Sequence, residues 1–267
     1  MTDIQIKNNN RTDSYHPLVS IITPSFNQGK FIRQTIDSVI NQTYDNIEYI
    51  VIDGGSTDET IDILNSYQGK IKYISEKDHG QANAINKGLA LSSGEILGFL
   101  NSDDYLFPDA IQTVVDTFSK TSRLWVSGDY WIVDSGNKRI QLGVVLYKKL
   151  LRLFSSRAMF LFVDYIIQPS TYWKRELQQK VGEFDESLSF VMDYDYWLRA
   201  FDFSPVKIIR KPLSCFRIHN QSKGGVRYVE QFAEEIQILR KYKINNFIIM
   251  LHSIHNKMIT TLYKVIK

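Results

Sequence analysis

The sequence predicts an α/β protein: a mixed, mainly parallel sheet flanked by helices, with a C-terminal helical extension. Strand-like and helix-like patterns alternate from Leu18 onward, the signature of βαβ units around a parallel sheet. A length of 267 residues suits one such domain with an appendage and would cramp two. From about Gly225 the pattern turns helical to the end. There Ile244, Phe247, Leu251, Ile254, Met258, Leu262 and Val265 are spaced three or four apart along one face.

Each element has a local reason. Val19 to Thr23 reads as a short buried strand, and Lys30 to Ile40 as the helix after it. Ile47 to Asp53 is the second strand and Asp58 to Tyr67 the second helix. Ile71 to Ser75, Gln81 to Leu91 and Glu95 to Leu100 continue as strand, helix and strand. Past Pro108 the pattern is less regular, with candidate strands at Leu124 to Trp131, Ile166 to Trp173, Val206 to Ile209 and Leu213 to Ile218, and a helix at Asp193 to Phe201. The expected organisation is a polar segment over 1–16, one α/β domain over 17–224 and an amphipathic tail over 225–267.

Composition narrows the class. Apolar residues at 43% and aromatics at 13%, with six prolines, exclude a disordered or low-complexity chain. A lone cysteine, Cys215, excludes an internal disulfide and a cysteine-rich metal site. Residues 1–16 lack the apolar core of a signal peptide, and no apolar run approaches the roughly 18 residues of a membrane span. The expectation is a cytoplasmic protein, soluble or peripheral on the inner membrane face. No acid occurs between Asp134 and Asp164 or after Glu235, and those two stretches carry twelve Lys and Arg residues. An acidic body with two basic, apolar-rich segments suits contact with an anionic membrane surface. A tail that packs on the domain or on a second subunit suits the same pattern. No nucleic-acid partner is expected.

In open α/β sheets, ligands bind beyond the carboxyl ends of the strands. Three polar loops stand there: Thr23-Pro24-Ser25-Phe26-Asn27, Asp53-Gly54-Gly55-Ser56-Thr57-Asp58 and Asn101-Ser102-Asp103-Asp104. None is the glycine loop of a dinucleotide dehydrogenase or a phosphate-loop ATPase. Asp103 and Asp104 suit a hard divalent cation such as Mg²⁺ or Mn²⁺, and they equally suit a turn that caps the helix begun near Pro108. Asp58 suits a helix cap, whereas Asp53, at a strand end, reads as a ligand contact. Asp193 and Asp195 begin a helix bearing Tyr194, Tyr196 and Trp197. Either acid fits dipole stabilisation, or a base in an aromatic-walled pocket. His219 and His79 are each, alone, more in keeping with surface or hydrogen-bonded histidines, and Cys215 with the core.

Taken in order, these segments resemble the family 2 glycosyltransferases of GT-A (Rossmann-like) fold, over roughly Val19 to Gly224. Val19-Ser20-Ile21-Ile22-Thr23-Pro24-Ser25-Phe26-Asn27 is similar to the family's opening strand and nucleotide loop. Ile36-Asp37-Ser38-Val39-Ile40-Asn41-Gln42-Thr43-Tyr44 is similar to its next helix. The resemblance implies nucleotide-sugar contacts from Thr23, Pro24, Ser25, Asn27, Asp53, Asp78 and Gln81, and from Asn101, Ser102 and Asp103. Asn101-Ser102-Asp103 occupies the D-x-D position, which implies Asp103 as the metal ligand for Mn²⁺ or Mg²⁺. Phe216-Arg217-Ile218-His219 resembles a late motif whose histidine, here His219, joins the metal–diphosphate site. Phe184-Asp185-Glu186 and Met192-Asp193-Tyr194-Asp195-Tyr196-Trp197-Leu198-Arg199 resemble the acceptor motif, with Asp193 as catalytic base. Two positions depart from the family pattern: Asn101 replaces the first acid of D-x-D, and Gly54 stands where many members have a second aspartate.

The implied reaction is inverting transfer of a sugar from a nucleotide-diphosphate sugar to a hydroxyl of a glycan or lipid-linked glycan, as in bacterial-type surface polysaccharide or glycolipid assembly. The competing expectation is a non-catalytic sugar-nucleotide or glycan-binding module, against which Asp103 and Asp193 are both retained. A sugar-phosphate nucleotidylyltransferase would need a glycine-rich, arginine-bearing loop after the first strand, and Thr23-Pro24-Ser25-Phe26-Asn27 is not one.

Overall fold

The computed structural model describes residues 15–220, 222 and 227–266. The expected polar segment up to residue 14, the expected boundary at 224/225, Lys267 and the side chains of Leu262, Lys264 and Val265 lie outside the described residues.

The first half is built as predicted: β1 (Val19–Ser25), α1 (Gly29–Ile40), β2 (Ile47–Asp53), α2 (Thr60–Asn65), β3 (Lys72–Ser75), α3 (Gln81–Leu91) and β4 (Ile96–Phe99). Then follow β5 (Tyr105–Leu106), α4 (Ala110–Phe118), β6 (Trp125–Val133), α5 (Leu142–Leu151), α6 (Arg157–Phe162), β7 (Thr171–Lys174), α7 (Arg175–Val181), α8 (Met192–Ala200) and β8 (Lys207–Arg217). The tail forms α9 (Tyr228–Lys241) and α10 (Asn246–Ile266).

One eight-stranded sheet runs in the order β3-β2-β1-β4-β7-β6-β8-β5. β3, β2, β1 and β4 are parallel, and β7 is antiparallel to both β4 and β6. Both faces are covered, as parallel strands require. Ile22, Leu97, Phe99, Trp125 and Trp173 feed one core with α3 and α8, while Val19, Ile21, Ile96 and Val126 feed the other with α1 and α4. Trp125 stacks on Trp197 with ring centres 5.2 Å apart, which joins α8 to the sheet.

Three expectations are corrected here. The strand expected over Ile166 to Trp173 is shortened to β7, because Pro169 lacks a ladder donor and the chain makes a 3-10 turn over Gln168–Ser170 first. The two strands expected over 206–218 are one, β8. It carries Pro212 opposite Asp129, where the β6–β8 register shifts and no donor is needed. The apolar stripe expected along the tail is not its buried face. Phe247, Ile254 and Met258 are exposed, while Ile249, His252, His255 and Asn256 are buried. The helices α5, α6 and α7 lie in stretches that had no predicted helix.

The curl of the sheet sets up the site. β5 follows β4 by only a few residues yet pairs with the opposite edge, Tyr105 with Cys215 and Leu106 with Ser214. The intervening Asn101-Ser102-Asp103-Asp104 turn therefore bridges the end of β4 to the end of β8. Thr35 of α1 pins it by donating to the Ser102 carbonyl (2.9 Å) and the Asp104 carbonyl (2.7 Å).

Candidate active site

A cavity of about 940 Å³ runs from the loops after β1, β2 and β4 to the C-terminal helices. Its donor-side rim is held by hydrogen bonds between loops. Asn27, at φ 51°, donates its N–H to Ser56 Oγ (2.7 Å) and accepts at Oδ1 from Thr57 N–H (2.8 Å). Asparagine tolerates this left-handed backbone better than most residues. Asp53 accepts from Gly55 and Ser56 N–H, at 3.1 and 2.8 Å, and from the Ser56 and Ser75 hydroxyls, at 2.5 and 2.8 Å.

Most of the expected donor-side residues come together. Pro24, Ser25, Asn27, Asp78, Gln81, Asn101, Ser102 and Asp103 all line the cavity. Two do not. Thr23 is fully buried with its hydroxyl 3.0 Å from that of Tyr49, because its side chain falls on the inner face of β1. Asp53 is also fully buried, and its carboxylate is occupied in shaping the loop. Ser25 Oγ is buried on the cavity wall with no hydrogen-bond partner among the described residues.

The two departures from the family pattern acquire physical reasons. A Cβ on Gly54 would stand 2.8 Å from Asp78 Oδ2, so the carboxylate at this place is that of Asp78. Asn101 accepts from Gln81 Nε2 (2.7 Å) and donates to Gln168 Oε1 (3.1 Å), while Gln168 Nε2 holds the Phe99 carbonyl (2.8 Å). An ionised aspartate is acceptor-only and would leave the Gln168 oxygen facing a second acceptor.

Asp103 and His219, 116 residues apart in sequence, meet with Oδ2 and Nε2 3.0 Å apart. Arg217, absent from the sequence-based candidates, makes that meeting possible. Its Nε donates to the Asp103 carbonyl (2.7 Å), its backbone N–H to Asp104 Oδ1 (2.8 Å), and its guanidinium also reaches Asn137 and Gln34. Burial, then the neighbouring Asp103 charge, push the Asp104 carboxyl well above its usual range. Asp104 is fully buried and serves the turn. Among the described residues no group of three or more His, Cys, Asp or Glu assembles to hold a metal ion. His79, like the rest of its loop, is exposed.

The acceptor motif separates into two roles. Asp195 is buried, bonded to Arg199 Nε (2.9 Å) and the Tyr242 hydroxyl (2.8 Å), and so fastens α8 to α9. Glu234 of α9 fixes the start of α8 by accepting from the N–H groups of Ser189, Phe190 and Val191 at 2.7–3.0 Å. Asp193 instead lines the cavity, half-buried, accepting the Tyr194 N–H (2.9 Å). Burial, and next the charge of Asp164, raise its pKa to about 7. Asp164, Lys148 and Glu235 line the same cavity and were not anticipated. Burial raises the Asp164 carboxyl too.

A nucleotide-loop sheet of this topology, with an acid–histidine pair at the end of its fourth strand, defines a glycosyltransferase of GT-A type. The chain belongs to glycosyl transferase family 2, whose family model matches residues 20–175. An uncharacterized glycosyltransferase of Rickettsia prowazekii is 32% identical over 219 residues, covering 77% of this chain and 65% of that protein. Chondroitin synthase of Escherichia coli is 31% identical over 214 residues, covering 73% of this chain and 28% of that protein. The chain thus spans only part of these relatives. Among solved structures, S. aureus TarS 1–349 in complex with UDP-GlcNAc superposes with a TM-score of 0.65 at 18% identity, covering 84% of this chain and 71% of that one. The mannosyltransferase PcManGT from Pyrobaculum calidifontis, in complex with GDP-Man and Mn²⁺, does so at 0.64 and 19%, covering 84% and 65%. Both share the fold.

Proposed function

We propose that the chain is an inverting, metal-dependent glycosyltransferase that moves a sugar from a nucleoside-diphosphate sugar to a hydroxyl of a glycan or lipid-linked glycan, in polysaccharide or glycolipid assembly. The observation that carries this reading is the meeting of His219 with Asp103, which lines the same cavity as Asp193. The fold relatives carry UDP-GlcNAc and GDP-Man, which supports a nucleotide-sugar donor and leaves the base open. The unpartnered Ser25 hydroxyl on the donor side is a ready contact for such a ligand.

Asp103 on the cavity wall and His219 beside it offer one carboxylate and one imidazole, a pair that would hold Mn²⁺ or Mg²⁺ alongside a bound diphosphate. Bound there, the ion supplies charge neutralisation for the departing diphosphate. Asp193 takes the proton of the acceptor hydroxyl while that oxygen forms its bond to the anomeric carbon and the bond to the diphosphate oxygen breaks, its electron pair leaving with the nucleoside diphosphate. A base with a pKa near 7 suits that duty at neutral pH. Incubation with UDP- and GDP-sugars and Mn²⁺ tests the proposal. Nucleotide release that needs Mn²⁺ and disappears in Asp103→Ala supports it. A chain that binds the donor but releases nothing, with any acceptor, is a binding module instead.

The exposed apolar residues extend the reading to a membrane surface. Leu142, Leu146, Leu150, Leu153 and Phe154 on and after α5, and Phe247, Met250, Ile254 and Met258 on α10, are all exposed, with Lys149 and Lys257 among them. No described helix is long and apolar enough to cross a membrane. Apolar stripes edged by lysine suit an interfacial position on anionic lipid, each lysine contributing about 1 kcal/mol. Flotation with phosphatidylglycerol vesicles tests this: binding that Leu146→Glu and Ile254→Glu abolish supports it, and no binding by the full chain ends it.

A further inference from the structure

A second pocket, of about 80 Å³, opens between β6, β8 and α5 and holds charges that the transfer reading does not use. Arg152, just after α5, is 4% exposed, and its two terminal nitrogens donate to the Gly128 and Ser127 carbonyls at 2.7 and 2.6 Å. Those carbonyls stand beside the β6–β8 register shift at Asp129. Arg152 Nε has no hydrogen-bond partner among the described residues, and neither has Asp129 Oδ2. That oxygen lies 3.2 Å from Lys149 Nζ, an ion pair without hydrogen-bond alignment, and Asp129 Oδ1 lies 3.7 Å from Arg152 Nη1. Arg139, exposed, lays its guanidinium over the Trp131 ring at 4.0 Å. A buried donor and a buried acceptor left open on the wall of one pocket are costly until something meets both.

Helix α5 divides its sides by spacings of three and four. Val144, Tyr147 and Lys148 line the large cavity, Val145 and Lys149, continued by Arg152, line the small pocket, and Leu142, Leu146 and Leu150 are exposed. With about 3.6 residues per turn, the small-pocket side falls next to the apolar stripe. We infer that this pocket binds a phosphate ester bearing a free hydroxyl, the chemistry of glycerol phosphate, whether free or as the headgroup of a lipid. Three cations, Arg139, Lys149 and Arg152, face one carboxylate, which selects an anion over a neutral sugar or a metal ion. Phosphate oxygens point in several directions and take charge-assisted hydrogen bonds from all three cations together, Arg152 through Nε. The hydroxyl donates to Asp129 Oδ2, which a bare anion would leave facing a second acceptor. The site lies outside the cavity of Asp103 and Asp193 and owes nothing to the transfer reading. With a lipid phosphate, it names the headgroup met beside the α5 stripe.

Titration of the isotope-labelled full chain with glycerol phosphate, in excess UDP and followed by NMR at the Trp131 indole N–H, tests the inference. Trp131 lines this pocket and not the large cavity, so its resonance reports the place of binding. In the wild type it moves and saturates. Arg139→Ala and Lys149→Ala, both at exposed positions, each weaken binding about tenfold or more, as loss of one charge-assisted hydrogen bond requires. Lys257→Ala, which removes an exposed cation on α10 outside the pocket, leaves it within twofold. Arg139 has no ion pair among the described residues, so a normal melting temperature certifies that variant even if Lys149→Ala is unstable. Methyl phosphate, which lacks the hydroxyl, binds about three- to tenfold more weakly; equal affinity removes the hydroxyl from the proposal. Flotation assigns the source. For a lipid phosphate, Arg139→Ala lowers binding to phosphatidylglycerol vesicles more than Lys257→Ala does, and excess glycerol phosphate releases the protein; for a free ester, the two variants float alike. No movement of Trp131 in the wild type, or affinity indifferent to Arg139→Ala and Lys149→Ala, overturns the site. Vesicle binding that Leu146→Glu still abolishes then leaves the membrane reading standing.

Discussion

Two pairs of carboxylates, Asp53 and Asp58 behind the first loops and Asp193 and Asp164 on the cavity wall, are treated in opposite ways. On the donor side Asp53 receives four hydrogen bonds and Asp58 receives backbone N–H groups of Gly29 and Thr60, each at 3.0 Å. Those acids hold loops against each other. On the cavity wall Asp193 accepts from the Tyr194 N–H and Asp164 from the Ile166 N–H, and burial is the largest influence on both. Hydrogen bonds hold a charge in place; their scarcity leaves a proton able to move. The same contrast divides Asp193 from Asp195, two residues away on one helix.

The largest expected effects sharpen that contrast. Asp193→Asn lowers transfer by roughly 10²- to 10⁴-fold, the usual worth of a general base, with donor affinity unchanged by calorimetry. Near-normal turnover would remove Asp193 from the role. Asp195→Asn acts on the fold instead, because it unbalances a buried ion pair with Arg199. About 3–5 kcal/mol of stability is lost, read as a fall in denaturant midpoint. If that variant melts normally but is inactive, the division of labour drawn here is wrong.

The pH dependence comes next in size. With a pKa of about 7, Asp193 is about one-tenth ionised at pH 6 and about nine-tenths at pH 8, so transfer rises through neutrality to a plateau. Asp164→Asn removes a like charge and shifts that midpoint to lower pH. Stability runs the other way. The folded state holds a proton on Asp193 that the unfolded chain releases near the usual carboxylate range, so this residue's contribution falls as pH rises from about 4 to about 7. Asp193→Asn should therefore be more stable than wild type at pH 8 and indistinguishable below pH 4. A rate profile flat from pH 5.5 to 8.5 contradicts the assignment.

The donor half was legible because its constraints are local. Strand, loop and helix follow within a few residues, so periodicity and turn chemistry located β1 to β4 closely, and eight of the ten donor-contact positions line the cavity. Thr23 and Asp53 stand apart from the cavity because of contacts between segments: the Thr23 hydroxyl meets that of Tyr49, and the Asp53 carboxylate is taken up by Gly55, Ser56 and Ser75. The acceptor half depends on contacts between distant segments: Arg217 with Asp103, Glu234 with the start of α8, Tyr147 with His255. No periodicity announces these. A faint signal existed in the charge pattern, since Asp164 and Glu235, two of the three acids bounding the acid-free stretches, line the cavity. The sequence left the placement of the tail's apolar stripe open; in the structure His252, His255 and Asn256 take the inward face, through contacts with Glu235, Leu161 and Tyr147 that no periodicity announces.

The smallest effect probes the end of β1, where Ser25 meets the cavity. Ser25 Oγ is buried at the end of β1 without a partner among the described residues, which costs stability in the absence of a ligand. Ser25→Ala removes that orphaned group, so the free protein should melt slightly higher. The same change removes one contact to the bound nucleotide and weakens UDP binding about three- to tenfold, the worth of one net hydrogen bond. The opposed signs are the diagnostic: a hydroxyl serving only the fold would lower stability on removal and leave UDP binding alone. Calorimetric titration and thermal melts on one preparation separate these outcomes, and the stabilisation that UDP confers should shrink in the variant.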